Sequence, residues 1–572
     1  MNSITLELLW SRLINTATEQ MKALLHTAFS TIVRESEDCA TGIFDAAGTL
    51  LAQAPSGTPG QINSMATCLP NFLEVFPADR LRPGDVLITN DPWKSAGHLN
   101  DITIVTPVFY GGRLVAFFGS CAHAVDIGGR GFGADSRSVY EEGLFLPISK
   151  LFDEGRPSEL LLNIIRHNVR SSELVIGDIF AQVTCNAVGA QRLQDLMHEF
   201  GLSDLVELSR EIVDRSENAL RAAINEMPDG RYTGEVWCDG YDEAIVVRCT
   251  LDVSGSDLAV DFAGSSHQVP WGINVPLCYT ASYTTYALKC LLAPDVPNNG
   301  GTFRPITVTA PEGCILNARP PAPVGGRHIM GNFQPLCIYA ALAPAASGRV
   351  IACSSVLWIL TVAGAYSGEE FTVSFFASGG MGARFAKDGL SATSFPGNIA
   401  MTPIEMLESV SPLIVHEKAL TPDSAGAGRY RGGLGQRIRF GVRDGGQYVV
   451  SPIGDQTKFP PYGLAGGKAG LPGALSLSTG EALNPKAKTV VPVGVDVVVD
   501  LPGGGGVGDP RTRPAAEVLR DVEQGLVTPE WARRDYGVQI DASSGRGVEI
   551  DRTGTAALRL GAGEERNAQE VF

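Results

Sequence analysis

The chain has 572 residues, of which 44% are hydrophobic and 19% charged, so it can bury a large core and is not a disordered chain. Its 45 basic and 62 acidic residues give a net charge of −17, which argues against binding to nucleic acid or to an anionic membrane face. No apolar run reaches the ~18–20 residues needed to cross a bilayer, and the N-terminus has no signal-peptide pattern. The 11 cysteines form no CxxC pair, so we expect reduced thiols in a cytoplasmic protein.

Taken in chain order, the hydrophobic spacing predicts alternating helical and β-rich regions. Helical spacing covers about residues 5–34, short β-type runs follow, and Gly111-Gly112 is typical of a hairpin turn. In the next helical stretch Asp178, Gln182 and Asn186 line one face. We therefore predict an α+β (mixed α/β) fold with several β-rich lobes and flanking helices. The predicted divisions are an N-terminal helical segment (1–39), a β-rich metal-site lobe (40–157), a helical lobe (158–228), a mixed α/β lobe (229–350), a Gly-rich β lobe (351–512) and a helix-turn unit with a polar tail (513–572).

Two histidines and an aspartate lie at the open end of the predicted hairpin. His98 and Asp101 precede the first strand, and His123 ends the second. Pairing through the turn at 111–112 places Asp101 opposite residue 122, so the three side chains converge. Two imidazoles and a carboxylate are the ligand set of an open site for zinc, iron or manganese, where bound water has a pKa near ~7.

Several assignments around this cluster stay open. The acidic run at 35–38 could give a fourth ligand, and Asp126 could either fix a histidine tautomer or cap the Gly128 turn. Arg327-His328 either binds a substrate carboxylate or phosphate or lies at the surface. The plain alternative to a metal site is that these histidines are structural or surface groups that meet by chance.

Glycine-rich runs at 378–382, 426–433 and 503–506 invite a phosphate-binding interpretation. The last run lacks the Lys-Ser/Thr pair of a P-loop, and no GxGxxG leads from a strand into a helix. We predict that the first two runs are tight turns near the active cleft rather than nucleotide cradles.

The runs GDVLITNDP, GHLNDITIVTPVF and AHAVDIGG resemble the hydantoinase B/oxoprolinase family. The family includes N-methylhydantoinase and caprolactamase large subunits and is related to acetone and acetophenone carboxylase subunits. Further matches, among them RESEDCATGIF and GLVTPEWARRDYGV, extend the resemblance across almost the full length. The resemblance implies a hydantoinase B-like fold and a divalent metal held by Asp38, His98, Asp101 and His123. It also implies an A-type partner subunit that binds ATP and Mg.

The activity implied by the resemblance is ATP-dependent ring opening of a cyclic amide, a hydantoin or a lactam. The partner would phosphorylate the carbonyl oxygen, and metal-activated water would attack the carbon while Asp126 or Glu35 shuttles the proton. Two alternatives are a subunit of an ATP-dependent ketone carboxylase and a non-catalytic scaffold subunit without metal. Oxoprolinase-like members carry histidines where this chain has Ala124 and Gly60-Gln61, so we do not expect the pocket of a 5-oxoprolinase.

Overall fold

The computed structural model describes residues 2–346, 348–393, 395–541 and 548–559. The predicted mixed α/β architecture is confirmed, with helices distributed among several separate sheets. The helices are α1 Ser3–Thr27, α2 Thr31–Arg34, α3 Pro59–Val75, α4 Val139–Glu142, α5 Glu159–Asn168, α6 Ser172–Glu199, α7 Val206–Asn225, α8 Leu277–Leu292, α9 His328–Leu342, α10 Ile404–Val410, α11 Ala515–Glu523 and α12 Pro529–Tyr536. The strands are β1 Cys39–Asp45, β2 Leu50–Gln53, β3 Val86–Thr89, β4 Asp101–Tyr110, β5 Arg113–His123, β6 Ser149–Asp153, β7 Arg156–Pro157, β8 Gly230–Cys238, β9 Ile245–Ser254, β10 Asp257–Asp261, β11 Ile306–Thr309, β12 Trp358–Tyr366, β13 Glu369–Ala377, β14 Leu413–Leu420, β15 Gln436–Val442, β16 Tyr448–Ile453, β17 Ala474–Leu477, β18 Thr489–Val491, β19 Val497–Asp500, β20 Ile540–Asp541 and β21 Glu549–Ile550.

The first seven strands form one antiparallel sheet in the order β2-β1-β5-β4-β3-β6-β7. A second sheet, β11-β10-β9-β8, is covered by α9, which packs on β8 and β9. The Gly-rich last third contributes the sheets β13-β12-β16-β18 and β14-β15-β19-β17. A two-stranded ribbon, β20-β21, follows α12.

The seven-stranded sheet is covered by helices on both faces. Phe118 packs in the apolar cluster with residues of α1 and α6, whereas Val105 and Cys121 pack with residues of α3 on the other face. Successive strand residues point to opposite faces, and residues two or four apart point to the same face. Asp101 lies four residues before Val105, and His123 lies two residues after Cys121. Both side chains therefore point to the face covered by α3.

The polar face predicted on the long second helix of the 158–228 region is present on α6 and is buried. Gln182 Nε2 donates to the carbonyl oxygen of Ile102 at 3.0 Å, which ties α6 to β4. Asp178 accepts from the backbone N–H of Phe29 at 2.7 Å, and Asn186 Oδ1 accepts from a buried glutamine of α1. These side chains satisfy polar groups between two packed layers, where an unpaired group would be costly.

Four glycine-rich segments of the last third pack against one another through their backbones. These segments, which we call the glycine layer, are residues 378–382, 426–433, 463–470 and 503–506. The amides of residues 503–506 donate in order to the carbonyl oxygens of Leu471, Gly433, Cys353 and Lys468. A Cβ at Gly504 would overlap the carbonyl oxygen of Met381. The prediction of tight turns at 378–382 and 426–433 is wrong, because these two runs are largely buried segments whose polar groups bond to neighbouring backbone.

The other local predictions have different outcomes. The predicted helical region 5–34 forms α1 and α2, and the predicted C-terminal helix-turn unit forms α11 and α12. The polar tail predicted from about residue 540 lies largely outside the described residues. In the described ranges, no helix combines the length and the apolar character that crossing a membrane requires. The predicted domain boundaries stay a prediction.

Candidate metal centre

The side chains predicted to meet at the end of the hairpin do so. β4 pairs antiparallel with β5, and Asp101 lies directly opposite His123. The predicted partner, residue 122, is wrong by one residue, because a β-bulge at Val115 adds one residue to β5. Residues opposite each other in an antiparallel pair share a face, whereas a shift by one residue changes the face. The bulge therefore puts His123 on the same face as Asp101.

Asp38 joins this pair from the residue just before β1. The backbone N–H of His123 donates to the carbonyl oxygen of Asp38 at 3.1 Å, which fixes the two chain segments side by side. His123 Nδ1 lies 3.6 Å from Asp38 Oδ2 and 3.4 Å from Asp101 Oδ1. One ligand atom from each of His98, Asp101 and His123 lies within 4.8 Å of the other two. All four side chains are buried.

The imidazole of His98 has a defined tautomer. Its Nδ1 lies 3.0 Å from the carbonyl oxygen of Gly325, and because a carbonyl only accepts, Nδ1 carries the proton. Burial, together with the charge of Arg327, lowers the pKa of His98 to about 4, so the ring is neutral near pH 7. Its Nε2 lone pair lies 3.0 Å from Asp101 Oδ1 without a hydrogen bond among the described residues. Two acceptor atoms so close fit a cation between them, and this donor set suits a divalent metal ion.

Gln61, on α3, forms a hydrogen-bonded bridge between the carboxylates of Asp38 and Asp101. Its Nε2 donates to Asp38 Oδ1 and to Asp101 Oδ1, both at 3.0 Å. Burial raises the pKa of Asp38 to about 6. Burial acts the same way on Asp101, but His98 and Arg327 outweigh it and hold the pKa of Asp101 well below its usual range. Asp101 therefore stays ionised to a lower pH than Asp38 does.

Arg327 is the cation of the site. Its guanidinium donates to Asp101 Oδ2 and, at 2.7 Å, to the carbonyl oxygen of Ala96. The same group lies 4.1 Å from the ring centroid of Tyr279, in a cation–π contact. A Cβ at Gly97 would come within 2.7 Å of the Arg327 side chain, so the loop before β4 needs glycine there. Arg327 thus fixes one oxygen of Asp101 and leaves the other for the cluster.

The four predicted ligands line a cavity with a volume of about 30 Å³. The ring of Phe132 meets both imidazoles edge-on, with centroids 5.8 Å from His98 and 5.0 Å from His123. The other lining residues are Thr58, Gln61, Tyr279, Tyr283, Arg327, His328, Asn332, Leu357, Ile359 and Ile399. The ligand atoms therefore face a pocket with both apolar and hydrogen-bonding walls.

A buried carboxyl group supports the loop that holds His98. Glu142 Oε1 accepts from the backbone N–H groups of Val324 and Gly325, each at 2.7 Å. Burial raises the pKa of Glu142 to about 8. Because the carbonyl oxygen of Gly325 accepts from His98 Nδ1, Glu142 acts on the orientation of His98 through this loop.

The structure does not bring Asp126 and Glu35 into the cluster. Asp126 accepts from the backbone N–H of Gly128 at 3.1 Å and from the guanidinium of Arg170 at 2.6 Å, so it caps the Gly128 turn. Glu35 forms an ion pair with Arg34 at 2.9 Å. Neither residue is among those that line the cavity. Their predicted role in proton transfer stays a prediction.

Sequence analysis did not assign Gln61, and it left Arg327 and His328 open between substrate binding and the surface. The only signal for Gln61 was that oxoprolinase-like sequences have a histidine-bearing loop at that place. No local signal could have placed Arg327, because it is 226 residues from its partner Asp101 along the chain. Long-range contacts of this kind leave no trace in local periodicity.

The fold and the cluster define a mixed α/β protein with a buried metal-type site of two histidines and two aspartates. The chain belongs to the hydantoinase B/oxoprolinase family, whose model matches residues 2–510. It is similar to the B-type subunit of a putative D-/L-hydantoinase from Pseudomonas sp. (strain NS671), with 32% identity over 583 residues, 97% of this chain and 98% of the relative. The family predicted from the sequence motifs is confirmed.

Two solved structures have the same fold. The ATP-dependent caprolactamase from Pseudomonas jessenii matches with a TM-score of 0.88 and 28% identity, over 98% of this chain and 100% of the other. A nucleotide-free acetone carboxylase matches with a TM-score of 0.87 and 19% identity, over 99% of this chain and 83% of the other. At that identity the second match supports the fold alone.

Proposed function

We propose that this chain is the B-type subunit of an ATP-dependent enzyme that opens the ring of a cyclic amide, a hydantoin or a lactam. The observation that carries the proposal is the convergence of His98, Asp101 and His123, with the lone pair of His98 facing a carboxylate oxygen. Similarity over the full length to a hydantoinase subunit and to a caprolactamase supports a cyclic amide as the substrate class.

We propose Asp38, His98, Asp101 and His123 as the ligands of a zinc, manganese or iron ion. Such an ion supplies Lewis-acid chemistry, which polarises an oxygen atom for attack at a carbonyl carbon. The two imidazoles offer neutral nitrogen donors, and the two carboxylates offset the charge of the ion. Phe132 covers both imidazoles and limits the access of bulk water to them.

An A-type partner subunit would bind ATP and Mg. A cyclic amide carbonyl is a weak electrophile because the ring nitrogen donates electrons into it, and phosphorylation of its oxygen makes the carbon more electrophilic. Addition of water to that carbon, followed by cleavage of the C–N bond with a proton passing to the ring nitrogen, would give an acyl phosphate, and a second water would hydrolyse it to a carboxylate and phosphate. The hydantoinase relative is named as one subunit of its enzyme, which supports a partner chain. Neighbouring backbone fills the space beside the glycines of the glycine layer, so no nucleotide can approach them, which favours a nucleotide site on the partner.

We also propose a cytoplasmic location. The free cysteines, most of them buried, support it.

The test uses the complex of this chain with its A-type partner, ATP and Mg, and a panel of hydantoins and lactams. We expect ATP-linked ring opening and a bound divalent ion. The variant H98A should fold, lose the ion and lose about 10³-fold in rate, since Lewis-acid activation contributes several kcal/mol. The matched control is H267A, which changes an exposed histidine and should match the wild type.

Other outcomes point to the alternative functions. If no amide is opened and labelled bicarbonate enters a ketone instead, the complex is a carboxylase. Wild-type turnover by the H98A complex, with no ion in either preparation, would make the chain a scaffold subunit. Ring opening that survives complete removal of divalent ions from the chain would contradict the role of the cluster.

A further inference from the structure

His328 is a polar group of the cavity wall that has no partner. It is the first residue of α9 and is 6% exposed, and neither Nδ1 nor Nε2 has a hydrogen bond among the described residues. A buried unsatisfied polar group costs roughly 1–3 kcal/mol, so most such groups in proteins have a partner. A histidine that keeps two open nitrogens beside a cavity is therefore expected to meet a ligand there.

His328 stands apart from the predicted metal ligands. Among the described residues, His98, Asp101 and His123 form a compact group of possible ligand atoms, and Asp38 Oδ2 lies 3.6 Å from His123 Nδ1, whereas His328 is not part of that group. His328 shares the cavity with these residues and lines it together with Asn332, one helical turn further along α9. Its ring nitrogens are therefore available to a molecule in the cavity rather than committed to the ion.

Asn332 lies on the same face of α9 as His328, but its side chain has hydrogen-bond partners in the protein. Its Oδ1 accepts from the backbone N–H of Leu357 at 3.2 Å, and its Nδ2 donates to the hydroxyl of Tyr283 at 3.5 Å. The protein itself thus supplies partners for Asn332. The part of the chain that the structure describes supplies none for His328, although both side chains are buried and line the same cavity.

The protonation state of His328 indicates what it can bind. Burial and the neighbouring charge of Arg327 lower the pKa of His328 well below its usual value, so the ring is neutral near pH 7. A neutral imidazole has one N–H donor and one acceptor nitrogen. It does not attract an anion as an imidazolium would, which speaks against the carboxylate- or phosphate-binding role considered from the sequence.

We infer that His328 is a substrate-contacting residue that hydrogen-bonds to the amide group of the cyclic substrate. Before phosphorylation a ring amide presents a carbonyl acceptor and, when unsubstituted, an N–H donor on the same edge, and either can pair with a ring nitrogen of His328. After phosphorylation of the carbonyl oxygen, the imidate nitrogen of the ring is an acceptor for the N–H of His328. This inference rests on the proposed function, since it assigns the group that recognises the proposed substrate class. It places substrate recognition on α9, in the same cavity as the ligands contributed by the hairpin.

The experiment compares three variants in the complex with the A-type partner, using the cyclic amide of the panel that the wild type opens fastest. H328F removes both ring nitrogens at similar size, and H328Q keeps one donor and one acceptor. H167Q, at an exposed histidine, is the matched control. For each variant the measurements are kcat, KM, the content of divalent ion, and the equilibrium binding of the same amide without ATP.

We expect H328F to lose about tenfold or more in kcat/KM and in amide affinity, the value of one or more hydrogen bonds, while its metal content stays that of the wild type. H328Q should recover most of the loss. The smaller H328A cannot clash and should show the same loss, so the test does not depend on the folding of H328F.

Three outcomes would overturn the inference. Wild-type kinetics in H328F and H328A would make His328 a structural residue, and loss of the ion from both would make it a ligand. In either case the proposed function still stands if the wild-type complex opens a cyclic amide. If the wild-type complex opens no cyclic amide, the proposed function fails and this inference fails with it.

Discussion

The candidate metal centre is buried, and so is most of the glycine layer except parts of residues 463–470, but the two regions are built from different parts of the chain. The centre consists of side chains: Asp38, His98, Asp101 and His123 converge because the strands beneath them alternate faces. The glycine layer consists of backbone, and its segments approach so closely that a single Cβ would overlap a neighbouring carbonyl. One region depends on which side chains are present, and the other depends on their absence.

Substitutions in the two regions should therefore have different effects, on function in the metal centre and on folding in the glycine layer. A substitution in the centre removes a donor atom but leaves the sheet paired, so the protein should fold and fail in function. A substitution in the glycine layer forces backbone segments apart, so the protein should fail to fold. Variants in the two regions therefore test whether the buried centre is functional rather than structural.

The largest effect is expected from G504A. Its methyl group would overlap the carbonyl oxygen of Met381, and the three nearest atoms are all backbone atoms of residues 381–382, so no flexible side chain could move away. We expect loss of soluble, folded protein, or a fall in unfolding free energy of more than about 4 kcal/mol, a size reserved for severe core disruption. Soluble yield and chemical denaturation measure it.

The control for G504A is G446A. Gly446 has a φ of −59°, and a Cβ there would meet only Val442 at 3.9 Å. This variant should keep the yield and the stability of the wild type. A G504A protein as stable as G446A would show that the glycine layer is not close-packed and would remove the contrast with the metal centre.

An intermediate effect, on metal affinity, is expected from substitution of Glu142, which holds the loop whose Gly325 carbonyl bonds to His98. E142A leaves two buried N–H groups, those of Val324 and Gly325, without an acceptor. The Gly325 carbonyl would then hold His98 Nδ1 less firmly. Loss of such supporting hydrogen bonds typically weakens metal binding about 10–100-fold.

The measurement is a competition titration of the purified complex against a chelating dye. E142Q is the matched variant, because its carboxamide oxygen can still accept from both N–H groups, and it should bind the ion like the wild type. If E142A also binds like the wild type, the loop does not depend on Glu142 and the route from this residue to His98 is refuted.

How far the sequence predicts the two regions follows from the range of the interactions. His98, Asp101 and His123 belong to one hairpin, so turn position and strand alternation predict that they meet. The bulge at Val115 changed the register without a local sequence signal. Arg327 enters from a distant segment, and Asp38 as a fourth ligand is implied only by the resemblance to a known family.

For the glycine layer, the sequence shows the composition but does not predict the conformation. Its abundance of glycine was visible in the sequence, but the interpretation as turns was wrong. Glycine serves both turns with positive φ and close backbone contacts, and composition alone does not separate the two uses. The partners of Gly504, residues 381, 426 and 433, are at least 71 positions away in the chain, so the close contact is determined by the assembled fold.

A pH dependence of folding is also expected from Glu142. In the folded protein burial raises its pKa to about 8, whereas a glutamate in the unfolded chain titrates near ~4.3. Between these values the folded protein binds one more proton at Glu142 than the unfolded chain does. The stabilisation from the protonated group is therefore complete below pH ~4.3, falls as the pH rises, and is lost once the pH exceeds about 8.

E142Q removes this titration and keeps the acceptor oxygen, so it isolates the proton from the hydrogen bonds. We expect the stability of E142Q relative to the wild type to rise steadily from pH 5 to pH 8 and to level off above it. Denaturation midpoints of both proteins across this range, at constant ionic strength, measure the difference. Parallel curves would mean that Glu142 is already ionised in the folded protein. Its second oxygen, Oε2, which has no partner among the described residues, would then need a cation or water that reaches the loop behind His98.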